Sequence, residues 1–149
     1  SAASVRFDDP LKDAVLLNTR GTLEIYKFAE SLKNIMAVMH VSTAYSNVHL
    51  SEINEEVHPA ITDWRKTIKI CEKFEKNELE VMTKHFIDFM PNTYVFSKHL
   101  AEQISLEYKE KLPLMIFRPS VVLPAYDEPY GGFVSSFKAL NDPNVFILD

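Results

Sequence analysis

Apolar residues along this chain fall into two patterns: stretches that repeat at helical spacing, and short runs that are almost unbroken. Helical spacing puts every third or fourth side chain on one face, whereas a short unbroken run reads as a strand buried on both sides. The chain opens on small and apolar residues, Ser1 to Phe7, suited to the end of a buried strand. Asp9 is placed to cap a helix with Pro10 at its first position, where a missing N–H is harmless. The helix that follows carries Leu11, Val15, Ile25, Phe28, Ala29 and Leu32 as its buried side, and Gly21 in its middle predicts close packing against another backbone. Ile35–Val41 predicts a doubly buried strand ending at Ser42 and Thr43.

A polar loop from Ala44 to Pro59 leads to a helix capped by Thr62 or Asp63, with Ile61, Trp64, Ile68 and Cys71 on one stripe, and then to a second short helix, Glu78 to His85. Phe74, Leu79, Met82, Phe86, Phe89 and Met90 are bulky enough together to line a tunnel for a chain-like substrate, and they serve equally as plain core. Asn92 or Thr93 caps the next helix, which bears Tyr94, Lys98, Leu100, Ala101, Ile104 and Leu106 and runs to about Lys111, where Pro113 stops it. Leu114–Phe117 predicts another strand, closed by Arg118-Pro119-Ser120. Strand, helix and strand in alternation predict right-handed βαβ units and an α/β fold with a parallel sheet. Beyond Pro124 the chain reads as loop through Gly131 and Gly132, with a helix around Ser135 to Leu140.

Composition narrows the function. The 149 residues are 46% hydrophobic and suffice for one domain core. A net charge of -5, with no basic run interleaved with aromatics, argues against nucleic acid as a partner. Cys71 is the single cysteine, which excludes an internal disulfide framework, and His40, His49, His58, His85 and His99 never fall into His-x-x-x-His spacing, so no metal site is expected. No apolar run reaches the length of a membrane span, so this stretch by itself is expected to be soluble. Three glycines are few for such a length, and no Gly-x-Gly-x-x-Gly turn occurs. The opening without Met suggests a piece of a longer protein.

Tyr94 and Lys98 are the candidate chemistry. Four residues apart on a helix, they project from one face. An ammonium beside a phenol lowers its pKa and would make Tyr94 a proton donor to a carbonyl oxygen receiving a hydride; the alternative is a solvated amphipathic face. Thr43 or Ser42, at the carboxyl end of a strand, stands where open α/β sheets place their ligands and could hold a carbonyl oxygen, or merely cap the strand end. Asn18 reads either as an ordinary helix-surface amide or as a backbone-bonding or water-holding residue near a site.

In this order the segments resemble the middle of an extended short-chain dehydrogenase/reductase. More closely, Ala2-Ala3-Ser4-Val5-Arg6-Phe7-Asp8, His40-Val41-Ser42-Thr43-Ala44-Tyr45, Pro91-Asn92-Thr93-Tyr94 with Ser97-Lys98, and Phe117-Arg118-Pro119-Ser120 resemble the fatty acyl-CoA reductases of the male-sterility type, over about residues 1 to 130. The resemblance implies a doubly wound, Rossmann-like parallel sheet and reduction of a long-chain acyl-CoA with NADPH, through the aldehyde, to a fatty alcohol. It implies Tyr94 as proton donor, Lys98 on the nicotinamide-ribose hydroxyls, Thr43 orienting the carbonyl in preference to Ser42, and Asn18 completing a tetrad. It places Ala2 and Ala3 along the cofactor and Pro119, Ser120 and Val121 facing the nicotinamide carboxamide. Membrane association, at the endoplasmic reticulum or peroxisome, is implied for the full-length protein only, and a homo-oligomer is left open.

Two departures qualify the resemblance. The glycine-rich βαβ unit that grips the pyrophosphate lies before residue 1 in such proteins, so residues 1–149 are expected to form a partial NAD(P)-binding reductase domain that binds cofactor poorly or not at all alone. Residues 131–149 diverge from the family pattern, and about 44–90 reads as a helical insertion between the Thr43 strand and the Tyr94 helix. Competing readings are another extended dehydrogenase/reductase acting on a sugar or sterol carbonyl, and a non-catalytic fragment kept for partner binding.

Overall fold

The computed structural model describes residues 3–59 and 61–122. The chain divides into two units, Ser1–Arg118 and Pro119–Asp149, and the first holds every element described below. Of the second unit only 119–122 are described, without regular structure. Ala2, the loop after Pro124, the Ser135 to Leu140 helix and the divergent 131–149 tail fall outside the described residues.

The first helical run is continuous but not uniform: α1 (Leu11–Ala14) passes through a π-helical turn (Val15–Arg20) into α2 (Gly21–Glu30). A π-turn takes in one more residue per turn than an α-helix, so every later side chain rotates around the axis. That rotation overturns the expected buried face. Leu11 and Val15 are buried as the spacing predicts, but Thr19 within the π-turn and Tyr26 beyond it take the inward positions, while Ile25 and Phe28 are 58% and 65% exposed and Leu32 also lies out. Ala29 stays inside. Gly21 has no close backbone neighbour: a Cβ there would meet only the Leu16 carbonyl oxygen, at 3.9 Å, so the expected close packing does not occur. Nor does Asp9 cap the helix. Its carboxylate instead accepts the Ser4 hydroxyl and stands 3.4 Å from Arg6 Nε, and Pro10 lies just before the first helical residue.

β1 (Val38–Val41) and β2 (Leu114–Phe117) pair in parallel, Val38 opposite Leu114 and Val41 opposite Phe117. The pairing extends past both ends, with Val38 N–H on Pro113 O at 2.9 Å and Ser42 N–H on Phe117 O at 2.8 Å. Double burial was the expectation; the structure covers one face. Val38 and Leu114 pack against the core, whereas Met39, Val41, Met115 and Phe117, on the opposite pleat, are 59%, 45%, 48% and 54% exposed. Alternate residues of a strand face opposite sides, and the described helices lie on only one of them.

Between the strands come a 3-10 turn (Ala44–Asn47), α3 (Trp64–Lys73), α4 (Lys76–Ile87) and α5 (Thr93–Tyr108). Asp63 caps α3 by accepting from Arg65 N and Lys66 N, and Trp64, Ile68 and Cys71 are buried on the predicted stripe. Glu75 and Glu78 form a capping box on α4. The bulky cluster divides: Leu79 and Met90 are core, Phe74 and Phe86 pack against it, and Met82 and Phe89 lie partly exposed. Helix α5 is the axis of the unit, buried around its whole circumference from Val95 to Ser105. Phe96, Leu100 and Ile104 supply its apolar contacts, and Tyr26 of α2 reaches Ser105 Oγ at 2.7 Å. Burial on all sides explains why this helix also carries polar residues that must be paired inside the fold.

Candidate active site

Helix α5 begins where Asn92 Oδ1 accepts from Val95 N at 2.9 Å and Thr93 Oγ1 donates to Asp9 O at 2.7 Å, pinning its first turn to the loop before α1. This start aims Tyr94 at the carboxyl end of β1. There the Tyr94 hydroxyl faces the Thr43 side chain, which acts to lower the phenol's pKa. Thr43 Oγ1 also accepts from Tyr45 N at 3.2 Å, so one residue both caps the 3-10 turn and faces the phenol. Phe7 packs on the Tyr94 ring with centroids 5.5 Å apart.

Lys98 lies one turn on, but its Nζ donates to the Val41 carbonyl oxygen at 2.8 Å. The phenol does not show the lowering expected from an adjacent ammonium. Burial raises the Tyr94 pKa, against a smaller lowering from Thr43, and burial also lowers that of Lys98 while the Glu102 carboxylate opposes it. Tyr94 is therefore held protonated, the state a proton donor needs.

Of the two hydroxyls, Ser42 Oγ donates to Glu102 Oε1, while the Thr43 side chain faces the phenol. Asn18 is buried and backbone-bonding rather than a helix-surface amide. Its carboxamide holds the Ser4 peptide and donates to Ser97 Oγ at 2.9 Å, and Ser97 Oγ donates to Tyr94 O at 2.8 Å. Asn18 thus reaches Tyr94 through Ser97 and fixes the segment that contains Ala3. Pro119, Ser120 and Val121 belong to the second unit, Ser120 exposed and the other two partly buried.

Sequence reasoning gave no role to Phe7, Ser97, Glu102 or Arg118. Glu102 continues the Tyr94, Lys98 stripe by one more turn, and that regular spacing was the available signal. Its carboxylate is buried yet held below the usual range: burial raises it, and the Arg118 and Ser42 hydrogen bonds, the Arg118 charge and Ser46 together outweigh that. His40, on the inner face of β1, is pushed down to about 4 by burial and by the Lys98 charge, against Glu102. His99 is also lowered by burial. Its Nδ1 lies 3.0 Å from Ser46 O and its Nε2 accepts from Ile61 N at 3.4 Å, an arrangement met by the neutral Nδ1–H tautomer.

The chain matches the NAD-binding family described as Male sterility protein over residues 1–147. It belongs to that family. As a Male sterility family domain it has the Rossmann-like α/β fold and binds a nicotinamide cofactor; the β1–β2 pair and the helices against it are part of that fold. It is 38% identical over 136 residues to fatty acyl-CoA reductase wat of Drosophila melanogaster, covering 91% of this chain and 26% of the relative. It is 35% identical over 148 residues to the putative fatty acyl-CoA reductase CG8306 of the same organism, covering 99% and 28%. Human fatty acyl-CoA reductase 1 is 38% identical over 136 residues, covering 91% and 26%. The chain spans about a quarter of the length of these relatives. Among the described residues no helix is long and apolar enough to cross a membrane, and no group of three or more His, Cys, Asp or Glu is placed to hold a metal.

Proposed function

We propose that the full-length protein carrying this chain reduces a long-chain fatty acyl-CoA with NADPH, through the aldehyde, to a fatty alcohol. The observation that carries this reading is the Tyr94 side chain facing Thr43 at the end of β1, with Lys98 one turn away and bonded to Val41 O at 2.8 Å. Reduction of a thioester or an aldehyde builds negative charge on the carbonyl oxygen. Thr43 meets that oxygen with a hydrogen bond, and Tyr94, kept protonated by burial, delivers the proton. NADPH, when bound, supplies the hydride. Val41 O takes one of the three N–H donors of Lys98, which leaves donors for the ribose hydroxyls. The Asn18 hold on Ser4 keeps the Ala3 segment fixed where the cofactor would lie along it. Attachment of the full-length protein to endoplasmic reticulum or peroxisomal membrane completes the proposal.

The test is NADPH oxidation by the full-length protein with palmitoyl-CoA, beside its Tyr94→Phe variant. Turnover that Tyr94→Phe abolishes supports the reading. A full-length protein that folds and binds NADPH but never reduces an acyl-CoA rules it out and points to another carbonyl substrate.

A further inference from the structure

Glu102 is fully buried, and four hydrogen bonds converge on its carboxylate. Ser42 Oγ and Ser46 Oγ donate to Oε1 at 2.5 and 2.9 Å, while Arg118 donates Nε to Oε1 and Nη2 to Oε2, both at 2.9 Å. Arg118 is anchored in turn, through Nη1 to Asn54 O at 3.2 Å and Nη2 to Glu56 O at 2.6 Å. The two serines flank Thr43 in the chain. Ser46 Oγ also lies 2.9 Å from the Thr43 carbonyl oxygen, yet the Thr43 side chain accepts from Tyr45 N and faces Tyr94. A single carboxylate oxygen therefore holds the chain on both sides of Thr43 without touching its hydroxyl. Burying a charged pair is costly, and an apolar pair of similar volume would fill the space at less cost. What the bidentate pair adds is direction, because its planar geometry fixes where both serine hydroxyls must point.

We propose that Glu102, gripped by Arg118, is a positioning residue that sets Thr43 against Tyr94 by tying Ser42 and Ser46 to one carboxylate oxygen. The proposal rests on the reading of Thr43 and Tyr94 as the pair that meets the substrate oxygen. Placement by Glu102 acts on the reaction only through the Thr43 hydroxyl, so removing that hydroxyl removes the effect.

The experiment uses the full-length protein with Ser42→Ala and Glu102→Gln, each alone and combined with Thr43→Ala. Ser42→Ala deletes one hydroxyl and keeps the ion pair, so it reads the tether even where Glu102→Gln fails to fold. Acyl-CoA reduction is expected to lose about tenfold in kcat in Ser42→Ala and more in Glu102→Gln, with KM for NADPH within about twofold, and both losses are expected to vanish in the Thr43→Ala background. Equal losses in both backgrounds, or no loss in Ser42→Ala, overturn the proposal. Hydrogen exchange at the Tyr45 amide, which Thr43 Oγ1 accepts, gives a readout independent of turnover. It is expected to quicken in both variants while protection in α2 is unchanged, and an unaltered Tyr45 amide overturns the proposal. A wild-type protein inactive on acyl-CoA would defeat the functional reading alone, since the exchange result still decides this one.

Discussion

Asn18 holds the Ser4 peptide by both of its polar groups: its Oδ1 accepts the Ser4 amide at 2.9 Å and its Nδ2 donates to the Ser4 carbonyl at 3.0 Å. A third bond, to Ser97 Oγ, links this grip to α5. Asn18→Ala leaves all three partners short of a bond in a part-buried setting, at a cost of about 2–3 kcal/mol. The expected outcome is a lower urea midpoint together with weaker NADPH binding in a fluorescence titration. Lower stability at unchanged NADPH affinity would confine Asn18 to the scaffold.

Much of this arrangement was legible in the sequence, for local reasons. Asp63 and Asn92 cap their helices because a short polar side chain reaches back to the first free N–H groups, an effect decided within four residues. Leu114–Phe117 forms the strand its apolar run predicts, and Pro113 keeps it apart from α5. The misreadings all needed information from elsewhere in the chain. Spacing assumes one pitch, so the π-turn at Val15–Arg20 moved Ile25 and Phe28 outward unannounced. Asp9 lost its cap role to Ser4 and Arg6, and Lys98 turned to Val41 rather than to Tyr94, because each found a partner that adjacency does not reveal. The residue pair Tyr94 and Lys98 was readable from the helix, but the electrostatics between them was not.

Lys98 on Val41 O leaves Tyr94 with a pKa raised by burial. The hydroxyl is the active form of a proton donor, so kcat/KM for reduction should be level through neutral pH and decline on an alkaline limb, to which the phenol, raised by burial from its ordinary 10, and the Lys98 ammonium, lowered by burial, both contribute. A limb near neutrality would show that Lys98 leaves Val41 and turns to Tyr94 once cofactor and substrate bind.

Asp88 has φ 50° and ψ −119°, the first central position of a type II′ turn closed by Met90 N–H on Ile87 O at 2.9 Å. A side chain is strained there and glycine is not, so Asp88→Gly is expected to stabilise by about 1 kcal/mol. Gly21 is the converse case, a helical glycine at φ −55° and ψ −41° with room for a methyl group, and Gly21→Ala is expected to add about 0.5–1 kcal/mol. Thermal unfolding of the two variants, alone and combined, checks both; the sites belong to different helices, so the gains should add. A loss of stability in Gly21→Ala would mean that the helix needs glycine to pass through its π-turn.

His40 sits between the Tyr26 ring, 6.2 Å away centre to centre, and the Lys98 and Glu102 charges, with its Nε2 lacking a hydrogen-bond partner among the described residues. Folding holds its pKa at about 4 against an ordinary 6.5. Above pH 6.5 the imidazole is neutral in both folded and unfolded chains and no stability is at stake. Between 6.5 and 4 the unfolded chain takes up a proton that the folded one refuses, so stability falls with pH, by roughly 3 kcal/mol once pH drops below 4. Burial also lowers His99, whose loss has the same sign. Urea unfolding at a series of pH values should show this slope, and His40→Phe, which keeps a ring beside Tyr26 and cannot titrate, should flatten it between pH 6.5 and 4. An identical slope in the variant would mean that His40 is protonated inside the fold, with its charge met by Glu102.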